Sequence, residues 1–435
     1  MTIPASGRPP DELLAELSAR AADDVDWRGG RVFSLVYHAG EDHERLVARA
    51  HALYASANLL NPVAFAGLRR LERDVVAMAA ALMHGPATAT GTVTSGGTES
   101  ILCAVAAYRD RARVRLGRPE LVVPATAHPA FDKAAHYFGV RLNKVPVGPD
   151  LRADVRAMAR AITRRTIALV ASAPQYPHGV VDPVGELGAL AQARGLPLHV
   201  DACVGGFVLP WLERLGRPVP RWDFRVPGVT SISADLHKFG YAGKGASVLL
   251  WRSLADLKHQ IFVATDWAGG IYASPTLLGT RPGGPIAAAW ASLQALGEAG
   301  YLALARDAAD AADRLRAGIA AIPGLVVLGK GDATIVSYAA HGIDVFALAD
   351  RLTARGWAVD RQHRPASIHL TVTAAHAPVV DRYLADLRAC VTEVRAAPRL
   401  AREGTAAMYG MAARLPVRRL VASQVRKAIA RMYEP

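Results

Sequence analysis

From about residue 90 the chain repeats one pattern: a short apolar run, a turn of glycine or polar residues, then an alanine-rich stretch at helical spacing. The runs are "ELVVPAT", "RLNKVPV", "TIALVASA", "GLPLHVDACVGG" and "VTSISADLHKFG". Strand-length apolar segments alternating with helical ones call for an α/β layer. Each run ends in polar or very small residues, and the carboxyl ends of such strands are where open parallel sheets take ligands.

The flanks read differently. Pro9 and Pro10 precede "DELLAELSARAADD", a short amphipathic arm with acidic residues in its first turn, whose apolar side requires a partner. "HERLVARAHALYASANLLNP" reads as a helix ending in a polar turn near Asn58 to Pro62, and "FAGLRRLERDVVAMAAALMH" as a second helix. Beyond a long helical stretch interrupted at Gly297 to Gly300, the chain restarts as "GLVVLG", "TIVSYAA", the helix "DVFALADRLTARG" and "SIHLTVT", a compact α+β unit. The expected division is therefore an N-terminal helical segment over 1–62, a large domain over 63–299, and a C-terminal α+β domain with a basic helical tail over 300–435. That tail, Val391 to Pro435, carries nine basic against three acidic side chains. It reads as a helix packed on a neighbouring subunit or lying on a membrane surface, and its interrupted positive face favours packing.

With 435 residues, 51% hydrophobic and 20% charged, the chain can bury a large core. Three scattered cysteines, Cys103, Cys203 and Cys390, supply neither a disulfide framework nor a metal cluster. "MTIPASGRPPDELLAELSARAADD" shows neither a signal peptide nor a membrane anchor, so the expected location is soluble and cytoplasmic, with delivery to a host cell as a second possibility. The net charge of +13 comes from arginines spread along the chain, which suits an anionic small ligand better than a nucleic acid.

Four segments carry candidate chemistry. "TVTSGGTESI" sets Gly96, Gly97 and Thr98 at a helix entrance, where free N–H groups can hold a phosphate or a turn can simply cap the helix. "HVDACVGGF" puts Asp201 at a strand end, able to bond a protonated ring nitrogen or to be satisfied by turn amides; His199 shares its face, but two ligands do not make a metal site. "PATAHPAFDKAAHYFG" places His128 at a helix start, where it can lie against an aromatic ring or cap the helix, with Asp132 and His136 on one face. "SISADLHKFGYAGKG" sets Lys238 after a strand and beside His237; partial desolvation and nearby cations lower a lysine's proton affinity and make it a nucleophile. Lys244, between two glycines, suits a mobile loop that meets an anion. Phosphate, flat ring, basic ring nitrogen and aldehyde together describe pyridoxal 5'-phosphate.

These motifs, with "RPGG", occur in the order found in the sphingosine-1-phosphate lyases, within the group II decarboxylase branch of the fold-type I pyridoxal-phosphate enzymes. The likeness runs from "ADDVDWRGGRV" to "MYGMAA". It implies a mixed, mostly parallel seven-stranded sheet between helices, a small C-terminal α+β domain, and a homodimer with active sites shared across the interface. By position, Lys238 resembles the lysine bonded to the cofactor aldehyde, Asp201 the partner of the pyridine nitrogen, and His128 the residue stacked on the ring. Gly97, Thr98 and His237 match the cofactor-phosphate site, which Gly279 and Thr280 would approach from a neighbouring subunit. Tyr37, Asn61 and Lys244 match positions around the substrate phosphate, and Tyr37 or Lys244 is a candidate base.

The chain departs from the family pattern in having Asn61 where histidine is common, Gly243 where proline is common, and Thr280 where serine is usual. These departures bear on polar contacts and loop stiffness. The implied reaction is retro-aldol cleavage of a phosphorylated sphingoid base, with peripheral membrane contact through the tail. The alternatives are amino-acid decarboxylation on the same fold and a non-enzymatic scaffold.

Overall fold

The computed structural model describes residues 2–112, 114, 116–406, 409 and 418–434. Seven strands make the central sheet: β1 (Thr90–Thr94), β2 (Glu120–Pro124), β3 (Arg141–Val145), β4 (Thr166–Ser172), β5 (Leu198–Asp201), β6 (Val229–Ala234) and β7 (Ser247–Trp251). Their spatial order is β1-β7-β6-β5-β4-β2-β3. β3, β2, β4, β5 and β6 run parallel, and β7 is antiparallel to both β6 and β1. Every residue of β2, β4, β5 and β7 is buried, because helices cover both faces and no side of these strands meets water.

The helices of this part of the chain are α1 (Pro10–Ala21), α2 (Glu41–Leu53), α3 (Ala66–Leu82), α4 (Gly97–Arg111), α5 (Ala130–Phe138), α6 (Val155–Ala161), α7 (Val184–Ala193), α8 (Leu209–Arg214), α9 (Leu254–Leu257) and α10 (Gly283–Ala320). A hairpin of β8 (Phe262–Ala264) and β9 (Tyr272–Ser274) projects between α9 and α10. The C-terminal unit adds β10 (Leu325–Leu328), β11 (Ile335–Ala340), α11 (Val345–Ala354), β12 (Asp360–His363), β13 (Ala366–Thr371), α12 (Val380–Ala396) and α13 (Arg418–Arg431). Its antiparallel sheet has the order β10-β11-β13-β12.

The helix α10 links the two cores. Gly297, at φ 54° and ψ −174°, breaks its regularity in a conformation open to glycine. Residue 300 therefore lies inside this helix, three residues past the kink. Tyr301, Ala305 and Ala309 belong to the large core, and Ala311, Leu315 and Ile319 to the small one.

The N-terminal segment reaches the small core through Phe33. Phe33 is buried in the small core, stacked on His376 at 4.4 Å, and its N–H donates to Ala358 O at 3.0 Å. By contrast α1 buries nothing: Leu13, Leu14 and Leu17 are exposed, so the partner expected for its apolar side is not supplied by the described residues of this chain. Apart from Tyr409, the "MYGMAA" stretch lies outside the described residues, as does part of the tail.

Candidate active site

The carboxyl ends of β4, β5 and β6 lie side by side, and the segments leaving them carry the chemistry. β6 ends at Ala234, and the next residue, Asp235, is 2% exposed. Its Oδ2 accepts from Lys238 Nζ at 2.9 Å, an i,i+3 pair within the turn. Burial alone would lower the Lys238 pKa, but the Asp235 carboxylate outweighs it and holds the ammonium above the usual lysine range. The expectation of a depressed Lys238 is thus reversed, because the charge facing it is an anion three residues away. Asp235 responds in kind: Lys238 and His237 overcome its burial and hold its carboxyl below the ordinary value.

The depressed lysine is Lys244. Desolvation, then the positive charge of Lys238, pull it down to about 8. Its side chain is exposed at the mouth of a cleft, with Nζ donating to Leu35 O at 2.5 Å and His237 O at 3.3 Å, and lying 5.3 Å from the Tyr37 ring centroid. Tyr37 is packed edge-on against Phe239, and burial pushes its hydroxyl up to about 12, with Lys238 pulling the other way. The cleft, about 520 Å³, is lined by Tyr37, His43, Val47, His51, Tyr241 and Lys244 among others. Gly243 in its wall has room for a Cβ, whose nearest neighbour would be Val47 Cγ1 at 3.4 Å.

Opposite Lys238 stands the N-terminus of α4, which no side chain caps. A Cβ on Gly97 would meet Cys203 Sγ at 2.6 Å and the Asp235 carboxylate oxygens at 2.8 and 2.9 Å, so only glycine brings the helix start this close. His237 closes the other side: its Cε1 would lie 3.2 Å from a Cβ on Gly96. Its Nδ1 accepts from Ala246 N–H at 3.1 Å, and burial lowers its pKa, so it stays neutral there.

Asp201, buried, accepts from Cys203 N–H at 3.1 Å and Ser233 Oγ at 3.5 Å. His199 has its two ring nitrogens on Ser231 and Ser233, at 2.7 and 3.2 Å, and burial lowers it to about 4. His128 is exposed at the start of α5, where its Nδ1 accepts from Ala130 N–H at 3.1 Å. Asp132 of the same segment pairs with Lys144 at 2.7 Å.

Three expected residues lie on the loops that lead into α3 and α10. Asn61 is exposed, and its Oδ1 caps Val63 and Ala64 N–H at 3.2 and 3.1 Å; the asparagine that reaches the "RPGG" turn is Asn58, accepting from Arg281 N–H at 3.1 Å. Gly279 and exposed Thr280 ride on a loop anchored by Glu99, which accepts from Leu277 and Leu278 N–H at 3.0 and 3.3 Å.

Motif reasoning passed over Glu99, Asp235, Tyr176 and Asp360. The i,i+3 placement of Asp235 before Lys238 was readable in "SADLHK". The contact between Tyr176 and Asp360, 184 residues apart, was not.

The geometry fits a phosphorylated aldehyde cofactor on two counts. A helix N-terminus walled by glycine and a neutral histidine suits a phosphate. Asp235 Oδ1 is buried without a hydrogen-bond partner beside an amine. Residues 25–340 match the pyridoxal-dependent decarboxylase conserved domain. The chain is 44% identical to a sphingosine-1-phosphate lyase of Arabidopsis thaliana, over 94% of this chain and 77% of that one. It is 42% identical to sphingosine-1-phosphate lyase 1 of Rattus norvegicus, over 97% and 75%. A solved structure of a Burkholderia pseudomallei sphingosine-1-phosphate lyase superposes with a TM-score of 0.88 at 41% identity, covering 92% of this chain and 94% of that one. The chain therefore belongs to the pyridoxal-dependent decarboxylase family and, within it, to the sphingosine-1-phosphate lyases.

Proposed function

We propose that this protein is a pyridoxal 5'-phosphate-dependent lyase that cleaves the C2–C3 bond of a phosphorylated sphingoid base, releasing a long-chain aldehyde and phosphoethanolamine. The carrying observation is a pair of neighbouring lysines with opposed proton affinities, one locked to Asp235 beneath an open helix N-terminus and the other lowered to about 8 at a cleft mouth. When bound, the cofactor supplies an aldehyde for amines and a sink for the electron pair left on C2.

In this reading Lys238 is the amine that would hold the cofactor, and the Asp235 carboxylate is the group that keeps the free Lys238 amine protonated. The N–H groups of Gly97 and Thr98, with His237, would hold the cofactor phosphate; Asp201 would hold the proton on the ring nitrogen, and His128 would lie against the ring. Lys244 and Tyr37 bind the phosphate end of the substrate. As C2–C3 breaks, the C3 hydroxyl proton leaves and C3 becomes an aldehyde carbon; C2 then gains a proton, so the reaction consumes no water. A lysine titrating near 8 is suited to move that proton, since its amine and ammonium forms are both populated near neutral pH.

Gly279 and Thr280 serve the site of a second copy of the chain in a homodimer, and Asn61 serves the substrate's phosphate end. The exposed Leu13, Leu14 and Leu17 of α1, and Phe262, Val263 and Trp267 at the β8–β9 hairpin, supply apolar surface for that association. No helix among the described residues is long and apolar enough to cross a membrane. Contact with an anionic lipid surface through the basic tail, and a cytoplasmic location, belong to the same proposal, as does the division into segments 1–62, 63–299 and 300–435.

The test is product analysis. Incubated with sphingosine 1-phosphate, the holoprotein is expected to yield a fatty aldehyde and phosphoethanolamine; with aromatic or acidic amino acids it is expected to release no carbon dioxide. Carbon dioxide without aldehyde refutes the lyase assignment.

A further inference from the structure

Between Lys238 and Lys244 the chain passes through Tyr241, which has φ 53°, left-handed backbone that a bulky residue rarely adopts. Such a conformation persists only where its surroundings enforce it, and it collects at working sites. The Tyr241 hydroxyl is buried without a hydrogen-bond partner, so the tip of the ring anchors nothing. The backbone is what the surroundings hold. Tyr241 N–H closes the turn onto Lys238 O at 2.9 Å, and a Cβ on Gly240 would collide with Leu236 O.

Gly240 O accepts from the hydroxyls of Ser292 at 2.7 Å and Tyr301 at 2.8 Å, and Tyr241 O accepts from His43 Nε2–H at 3.1 Å. His43 Nε2 also lies 3.1 Å from Ser292 Oγ, whose own proton is on Gly240 O, so one His43 N–H serves both acceptors and its tautomer is fixed. Side chains of α2 and α10 thus grip two consecutive carbonyls. Ser292 and Tyr301 stand about two and a half turns apart on α10, which would set them on opposite faces of an unbroken helix. The break at Gly297 lies between them, and both reach the same oxygen. Past this grip little holds the chain: among the described residues Gly243 N–H donates to no backbone carbonyl, and Gly245 has φ 93°. Exposed Lys244 stands between these two glycines.

We propose that His43 is a positioning residue for Lys244: by holding Tyr241 O directly, and the carbonyl before it through Ser292, it fixes where the Lys244 amine sits relative to Lys238. This rests on the reading of Lys244 as a residue that meets the substrate, although the setting of its amine is measurable without substrate. The groups that face this amine are Lys238, Asp235, His237 and Tyr37 on the lysine side, and Arg28, His43, Glu44 and His51 along the cleft. Desolvation is the largest cause of its lowered pKa, so an amine released toward water regains proton affinity. Burial holds His43 below its ordinary value, so the ring is neutral where Lys244 titrates and its replacement removes no charge there. An apolar side chain in its place would dry the cleft further and by itself lower Lys244; loss of the grip acts in the opposite direction.

Trace acylation of the holoprotein, followed by peptide mass spectrometry, gives the rate of Lys244 modification against pH, with exposed Lys330 as the internal reference. His43→Leu is expected to move the Lys244 midpoint up by about one pH unit, roughly a tenfold fall in free amine at neutral pH, with the cofactor absorbance retained. His43→Gln still carries an N–H donor that can reach Tyr241 O, and its free-amine fraction is expected to stay within about twofold of wild type. Ser292→Ala leaves the ring in place and Tyr301 on Gly240 O, and is expected to move the midpoint up by less than His43→Leu. A midpoint that stays or falls in both His43→Leu and Ser292→Ala, or that His43→Gln raises as far as His43→Leu does, overturns the proposal even where the variants lose thermal stability, since His43 is then merely structural. If the midpoint moves as expected while the pH profile of kcat/KM for the phosphorylated substrate does not follow it, the substrate-contact reading of Lys244 fails and its positioning by His43 stands.

Discussion

Replacing Asp235 by asparagine keeps the shape of the turn and removes one charge. Lys238 Nζ lies 2.9 Å from Asp235 Oδ2, with side-chain exposures of 26% and 2%. Breaking a buried pair by removing one partner costs about 3–5 kcal/mol; the partial exposure of Lys238 places this case at the lower end, about 3 kcal/mol. At about 2–4 °C per kcal/mol for a large domain, thermal unfolding should shift down by about 6–12 °C at neutral pH.

The pH dependence carries the sharper signature. In the wild type, the Lys238 pKa is raised above 10.5, so its stabilisation is complete below that value and is lost as pH rises through the folded pKa. Asp235 is depressed below 3.8, so its contribution is present above 3.8 and is lost as pH falls through its folded pKa. In the variant the main group opposing burial at Lys238 is gone; its pKa is expected to fall below 10.5, and the protein to regain stability as pH rises toward that value. The gap in Tm between the two proteins should therefore be widest at mid pH and close at both extremes. Calorimetric scans across the pH range check this. A gap that is absent at neutral pH, or independent of pH, refutes the claim that Asp235 keeps Lys238 charged.

Lys238→Ala should abolish the visible absorbance of the bound cofactor, read from the spectrum of the purified variant. Gly97→Ala drives a methyl to within 2.6–2.9 Å of Cys203 and Asp235, and should cost about 1–3 kcal/mol in stability while weakening cofactor retention on dialysis. With Lys244 binding the substrate's anionic end as an ammonium, kcat/KM for the phosphorylated substrate should fall as pH rises through about 8; Lys244→Arg should move that limb to higher pH. Glu99→Ala should leave the Leu277 and Leu278 amides unpaired, destabilising the loop by about 1–3 kcal/mol and speeding hydrogen exchange at those two positions.

The alternation of apolar runs with alanine-rich helices was enough to read the parallel part of the sheet, because strands covered on both faces need unbroken apolar sequence. Two strands escaped that reading. β1, "TGTVT", is short and polar for a sheet member, and β7, "SVLLW", follows the lysine loop without a helix between, as an antiparallel strand can. The open helix start at Gly97, and Lys238 with Asp201 at strand ends, were legible because local backbone chemistry dictates those residue types at those places.

Proton affinities were not legible. They depend on which charge lies across a few ångströms of dry protein, and the sequence reading assigned the lowered pKa to Lys238 when the fold lowers Lys244 instead. Asn61 shows the same limit: its motif suggested a ligand contact, and within the chain its side chain caps a turn. By itself, then, the sequence determined the layer type, which follows from periodicity, and the family, which follows from the likeness of its ordered motifs. Only tertiary structure decided that Asp235 holds Lys238 charged, that Lys244 titrates near 8, and that Tyr176 meets Asp360 across 184 residues, because burial and through-space charge are properties of packing that no spacing along the chain encodes.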